Sequence, residues 1–187
     1  VGFAFIVLVV CLSGVNHADG VADLGDAMVV HDGKREVLKD TRVGVGAVLA
    51  LALVVAGLAL AGLALAGLPV AVAVALVVAA EVGAKTGMAA LACLGTAAHE
   101  GLGSQFTARA DRATLAGPLL VAAPVALLTP GTLAAAAALA GGPLVALALG
   151  RWADDHLGGV SGDVFGATNE LGRVVGLHLG VVAWTLS

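Results

Sequence analysis

Between Val43 and Leu68 the chain reads VGVGAVLALALVVAGLALAGLALAGL, with no charged or polar side chain. A helix needs about 20 apolar residues, at 1.5 Å rise each, to cross the hydrocarbon core of a bilayer. This stretch is long enough, and it offers no face that water would wet. It reads as a membrane-spanning helix, and the composition extends that reading to the whole chain. Hydrophobic residues make up 60% of the 187 and charged ones 12%, with a mean hydropathy of +1.05. A soluble domain has about 45–50% and about 25%.

Five further apolar runs flank this one: Val1–Val15, Val70–Ala97, Ala113–Leu128, Gly131–Gly150 and Val164–Leu186. The expected fold is all-α: a polytopic transmembrane bundle of about six spans, with short helices in cytoplasmic loops. It forms a single integral membrane domain over residues 1–187. The first run is short for a span and reads as the remainder of a longer one; the fourth is short enough to stand upright or thin the bilayer. Gly57, Gly62 and Gly67 let the second run approach a neighbour closely. Cys11 and Cys93 lie in apolar surroundings and read as small hydrophobes.

The connections fall into two kinds. Leu68-Pro69 and Thr129-Pro130-Gly131 are tight and uncharged, whereas 16–42, 98–112 and 151–163 are longer and polar. Alternating six spans puts the three polar segments on one face. They hold Lys34, Arg35, Lys39, Arg42, Arg109, Arg112 and Arg151, so the positive-inside rule makes that face cytoplasmic and the location a cell membrane. No basic patch interleaved with aromatics exists, which excludes a nucleic-acid partner. The bilayer is the evident one; the oligomeric state is left open, a homo-oligomer included.

Chemistry concentrates in those polar segments. Residues 16–26 read NHADGVADLGD, with Asp19, Asp23 and Asp26 at i, i+4 and i+7. On a helix they fall within about 60° of arc. Carboxylates that close repel unless a cation joins them, and hard oxygen ligands select Mg²⁺, Mn²⁺ or Ca²⁺. Lys34-Arg35 and Lys39-Asp40-Thr41-Arg42 follow, basic residues suited to phosphate oxygens beside an acidic cluster. Within the third run Glu81 and Lys85 are four apart, placed either to pair with each other or for Lys85 to line a cavity. The segment 157–170, LGGVSGDVFGATNE, combines glycines that permit close backbone approach with Asp163 at a helix start and Glu170 further along it. His99-Glu100 lacks the second histidine of a zinc HExxH helix.

Two blocks together resemble the cobalamin synthase family, the adenosylcobinamide-GDP ribazoletransferases. One is the H-x-D-G-x-x-D-x-x-D segment from His17 to Asp26 with Lys39-Asp40-Thr41-Arg42 and Gly44. The other is Gly158-Gly159-Val160-Ser161-Gly162-Asp163 through Gly166-Ala167 and Glu170-Leu171. Glu100-Gly101-Leu102-Gly103 resembles a weaker family element. The resemblance implies an enzyme that joins adenosylcobinamide-GDP to α-ribazole, or its 5′-phosphate, and releases GMP with Mg²⁺ as cofactor. Carried over, Asp19, Asp23 and Asp26 are metal ligands. Asp40 and Asp163 are catalytic, with the roles of base and ligand open among the aspartates. His17, Arg35, Lys39, Lys85, Gly159, Ser161, Gly162 and Glu170 bind substrate. Ala84-Lys85 stands where the family commonly has Ser-Arg, and Arg173 where a second glutamate often follows.

Two other readings compete. A CDP-alcohol phosphotransferase also clusters aspartates on membrane helices, but Asp19-Gly20 is followed by Val21-Ala22-Asp23 rather than by that family's Ala-Arg. A cation transporter tends to place carboxylates near the bilayer midplane, often within inverted repeats, and no repeat is visible here. The enzyme reading requires that the segments around positions 23 and 163 meet at one membrane surface.

Overall fold

The structure is a computed structural model, and it describes residues 2–13, 15–38 and 42–187. Its elements are helical: α1 (Gly2–Ser13), α2 (Asn16–Val29), α3 (Lys34–Val37), α4 (Val45–Ala66), α5 (Val70–Leu94), α6 (Leu102–Thr107), α7 (Ala116–Ala122), a 3-10 turn over Ala123–Leu127, α8 (Ala134–Leu157) and α9 (Gly162–Thr185). No strand occurs among the described residues. The pairing that exists outside helices is a parallel bridge between Ala97 and Val160.

Three helices, α4, α5 and α8, are each long and apolar enough to cross a membrane. Leu49, Leu53, Leu60 and Leu63 of α4 are exposed, as suits a helix whose outer face meets lipid. Gly67 and Pro69 close α4 and start α5, because proline supplies no amide to continue a helix while its carbonyl accepts the Ala73 N–H at 3.0 Å. The α1–α2 pair qualifies as a crossing only as a broken one, bent by 102°.

Two expectations change. The run Ala113–Leu128 is not one continuous span: α7 and the 3-10 turn cover Ala116–Leu127, with Pro124 at the start of the turn. Missing its amide, that proline ends the α-helical ladder. Conversely, the helix expected to stop at Gly150 continues through Arg151, Trp152 and Asp155 to Leu157, so half of the supposed loop 151–163 is helix. It stops at Gly158, whose φ of 78° is left-handed and suits glycine.

The centre of the bundle is α9, which packs against α8, α5, α2 and α4. Close approach comes from a seam of glycines on α5, α8 and α9. A Cβ on Gly176 would lie 2.5 Å from the Ala138 carbonyl oxygen, one on Gly172 2.9 Å from the Gly142 Cα, and one on Gly142 would collide with the Gly83 carbonyl. In lipid, helices associate through such small-residue contacts because apolar burial between them gains little. On α4, Gly57 faces Val174 and its carbonyl accepts from the His178 Nε2 at 3.0 Å, and Gly62 packs on Gly2 and Phe5, whereas Gly67 meets only its own helix.

Gly142→Ala forces α5 and α8 apart and lowers the unfolding midpoint in detergent, at a cost of about 1–3 kcal/mol for overpacking. Gly117→Ala, where nothing lies within 4 Å of the added carbon, leaves the midpoint unchanged or raises it.

Candidate active site at one end of the bundle

The polar segments do meet. Gly20 of α2 rests on the first turn of α9, where its Cβ would lie 2.6 Å from the Asp163 carbonyl oxygen; a Cβ on Gly166 would in turn lie 3.1 Å from the His17 carbonyl oxygen. Five residues further along α2, Gly25 packs on the start of α4, where its Cβ would lie 2.6 Å from the Gly46 oxygen. Glycine is required at both points, since any side chain would hold the backbones apart. The acidic block and the glycine-rich block, more than 130 residues apart in sequence, thus form one surface.

Asp23 sits in the middle of like charge, repelled by Asp163, Asp19 and Asp26, and Asp19 also acts on Asp163. Among the described residues no three His, Cys, Asp or Glu side chains converge to form a ready cage for a metal ion. Part of the reason is Asp26, whose Oδ2 accepts the Gly44 N–H at 2.7 Å and whose Oδ1 accepts the Ala47 N–H at 2.9 Å. It serves the exposed amides and positive dipole end of α4, while Asp19 and Asp23 remain on the open side. Lys39 and Asp40 lie outside the described residues.

The α8–α9 turn is built by its own sequence. Gly159 adopts φ 141° and its Cβ would strike the Thr96 oxygen and the Ala97–Ala98 peptide. This proximity lets the Val160 N–H donate to Thr96 O at 2.7 Å and Ala98 N–H to Val160 O at 3.0 Å. Ser161, 2% exposed, caps α9: its Oγ accepts from the Val164 amide at 3.4 Å and donates to Asp163 Oδ2 at 3.2 Å. Gly162 opens the helix, where an added Cβ would lie 3.7 Å from the Leu102 side chain. Ser161 and Gly159 therefore shape the turn that carries Asp163. The Arg35 guanidinium lies against Gly158, and His99 attracts the Asp163 carboxylate. Lys34 is occupied elsewhere, donating to the Ala27 and Val30 carbonyls at the end of α2. In the 98–112 segment, hydrogen bonds from the Thr114 hydroxyl and amide hold the Asp111 carboxyl below the usual carboxylate range.

Beneath this surface lies a buried polar network that the sequence reading did not assemble. Arg173, 1% exposed, donates from Nε and Nη2 to the two oxygens of Glu81, from Nη1 to Glu170, and from Nη2 to Ser13 Oγ at 2.9 Å. Glu81 therefore pairs across to α9 and not with Lys85 along its own helix. Lys85 Nζ instead donates to Asn169 Oδ1, and Asn169 Nδ2 reaches Glu170 Oε1 at 3.0 Å and His17 Nδ1 at 3.1 Å. Two glutamates, one arginine and one lysine make the cluster neutral overall when His17 is neutral. Lys85 also lines a cavity of about 530 Å³ with Glu81, Thr86 and Pro118. The signal for Asn169 and Arg173 was their position in a run of spanning length, where polar and charged side chains are functional candidates by default.

Opposite outcomes are expected for two aspartates of one helix. Asp23→Asn raises the unfolding midpoint, because it removes a charge repelled by three others. Asp26→Ala lowers it by the worth of a helix cap, about 1 kcal/mol. Thermal unfolding of both variants in one detergent checks the sign of each.

Comparison with known proteins gives a consistent answer. The family described as Cobalamin-5-phosphate synthase matches residues 1–182. A Halobacterium salinarum protein named adenosylcobinamide-GDP ribazoletransferase is 55% identical over 189 residues, covering 100% of this chain and 95% of the relative. Proteins of the same name from Halorubrum lacusprofundi and Haloquadratum walsbyi are 49% and 42% identical, over 99% and 97% of this chain and 77% and 75% of theirs. No solved structure matches. With a family match over nearly its whole length and relatives this similar, the chain belongs to the cobalamin-5-phosphate synthase family.

Proposed function

We propose that this protein is an adenosylcobinamide-GDP ribazoletransferase, joining adenosylcobinamide-GDP to α-ribazole or its 5′-phosphate with release of GMP. The observation that carries the reading is the contact of α2 with the start of α9, which puts Asp19, Asp23 and Asp163 on one surface with Arg35 and His99 beside them. The names of the relatives supply the substrates.

In this reading a ribose hydroxyl of the ribazole attacks the phosphorus on the cobinamide side of the diphosphate. A new P–O bond forms, the bridging P–O bond breaks, and GMP departs with that oxygen. Asp163 accepts the hydroxyl proton, with Asp40 the other candidate, and a base at the start of α9 has Ser161 to orient its carboxylate. Arg35, Lys39 and Lys85 are assigned to phosphate oxygens, Gly159, Ser161 and Gly162 to shaping the turn around them, and His17 and Glu170 to substrate positioning. Asp19, Asp23 and Asp26 would hold Mg²⁺, with Asp26 contributing least since α4 already engages both its oxygens. The donor set fits that ion: Mg²⁺ typically takes one or two carboxylates and completes its shell with waters and substrate phosphates. When bound, it neutralises charge on the diphosphate.

The same reading assigns the active face to the cytoplasm, where the excess of Lys and Arg belongs, and the protein to the cell membrane. About six crossings result if the broken α1–α2 pair, the α7 region and α9 are counted with α4, α5 and α8.

Purified protein mixed with adenosylcobinamide-GDP, α-ribazole and Mg²⁺ releases GMP, chelation abolishes the release, and added Mg²⁺ restores it. No GMP release, with cation flux in proteoliposomes instead, would overturn the assignment. Asp19→Asn abolishes turnover with the unfolding midpoint kept; turnover at the parent rate removes Asp19 from the metal site.

A further inference from the structure

We infer that Asn169 is a positioning residue that holds neutral His17 as the tautomer with its proton on Nε2. The inference rests on the reading of His17 as a substrate-binding residue.

An amide can be turned either way, and its orientation is settled by what its neighbours are able to do. Lys85 Nζ has only donors, so the atom of Asn169 facing it must be the oxygen. Glu170 accepts from the Arg173 guanidinium and presents carboxylate acceptors, so the atom facing its Oε1 at 3.0 Å must be the nitrogen. Both constraints agree. Asn169 is fully buried, leaving water no part in the choice. One amide hydrogen goes to Glu170 and the other points at His17 Nδ1, 3.1 Å away. That ring nitrogen must therefore accept. The other partner available to an Nδ1–H, Glu170 Oε1, is 3.8 Å off, beyond hydrogen-bonding distance.

A neutral imidazole has one donor and one acceptor. With Nδ1 accepting, the proton sits on Nε2, which makes no hydrogen bond with any described residue. The ring lies on α2 three residues, about one turn, before Gly20, the point where α2 meets the Asp163 turn. His17 is thereby set to donate a hydrogen bond from Nε2 to an anionic oxygen, a phosphate oxygen of a nucleoside-diphosphate substrate. The path from Lys85 through Asn169 to His17 lets α5 and α9 decide which edge of a side chain on α2 carries the proton.

Nitrogen NMR on ¹⁵N-histidine protein in detergent, at alkaline pH, reads the tautomer directly, with the His17 signals assigned by their loss in His17→Gln. The expected spectrum has an unprotonated Nδ1 and a protonated Nε2. Asn169→Asp keeps the acceptor for Lys85 but replaces the donor facing the ring, and it moves the proton to Nδ1. A protonated Nδ1 in the parent protein, or no change in a folded Asn169→Asp, would overturn the inference; if that variant does not fold, the parent spectrum alone decides. Kinetics give a second, independent measure. A glutamine amide reaches the place of Nε2 and an asparagine amide that of Nδ1, so the KM for the nucleotide substrate is higher in His17→Asn than in His17→Gln by roughly 10- to 100-fold, the worth of one hydrogen bond to a charged group. Equal values sink the proposal. The spectrum needs no turnover, so failure of the proposed reaction and failure of the tautomer assignment are separately visible.

Discussion

A guanidinium removed from water has to be met by opposite charge and by acceptors for its donors, and Arg173 imposes that demand on the middle of the bundle. Breaking a buried ion pair by removing one partner costs about 3–5 kcal/mol. Glu81 of α5, Glu170 of α9 and Ser13 of α1 all answer to the same side chain. Three separate elements are thus held in register by one arginine. Lys85 and Asn169 extend the arrangement to α2 through His17. Apolar helices in lipid can slide and rotate against one another with little change in energy, and a saturated set of directional contacts removes that freedom.

The surface above the network has the opposite character. There the backbone brings acidic groups together without neutralising them: Asp23 faces three carboxylates that repel it, and the helices are held close by Gly20, Gly25 and Gly166 against that repulsion. Sites of function commonly retain interactions that weaken the fold. The neutral interior offsets this by fixing the elements that carry the charged rim. Asp26 marks the boundary between the two regimes, since its repulsion from Asp23 is balanced by two amides of α4.

Much of this was legible in the sequence, for physical reasons. The runs at α4, α5 and α8 are recognisable because nothing but lipid accommodates them. The joining of the 16–26 and 157–170 blocks followed from strand-free alternation of apolar runs and holds in the structure. What the sequence hid depends on which side chains face one another across helices. Glu81 and Lys85 are correctly spaced to pair along α5, yet each turns to α9, because Arg173 and Asn169 stand nearer in space than any linear pattern reveals. Asp26 looked like the third member of a ligand trio; its engagement with Gly44 and Ala47 required knowing where α4 starts. The glycine seam through Gly83, Gly142 and Gly176 was less conspicuous than the run on α4, but it is where the backbones come closest.

The extra turns at the end of α8 have a consequence for height. At 1.5 Å per residue its 24 residues make a rod of roughly 36 Å, several ångströms more than the roughly 30 Å of bilayer hydrocarbon. If the first ~20 residues of α8 cross the hydrocarbon, the last turn, Asp154 to Leu157, carries Gly158 through Asp163 toward the layer where phosphates and water mix. In the proposed reading, a polar substrate too bulky to enter lipid docks at this turn from the aqueous side.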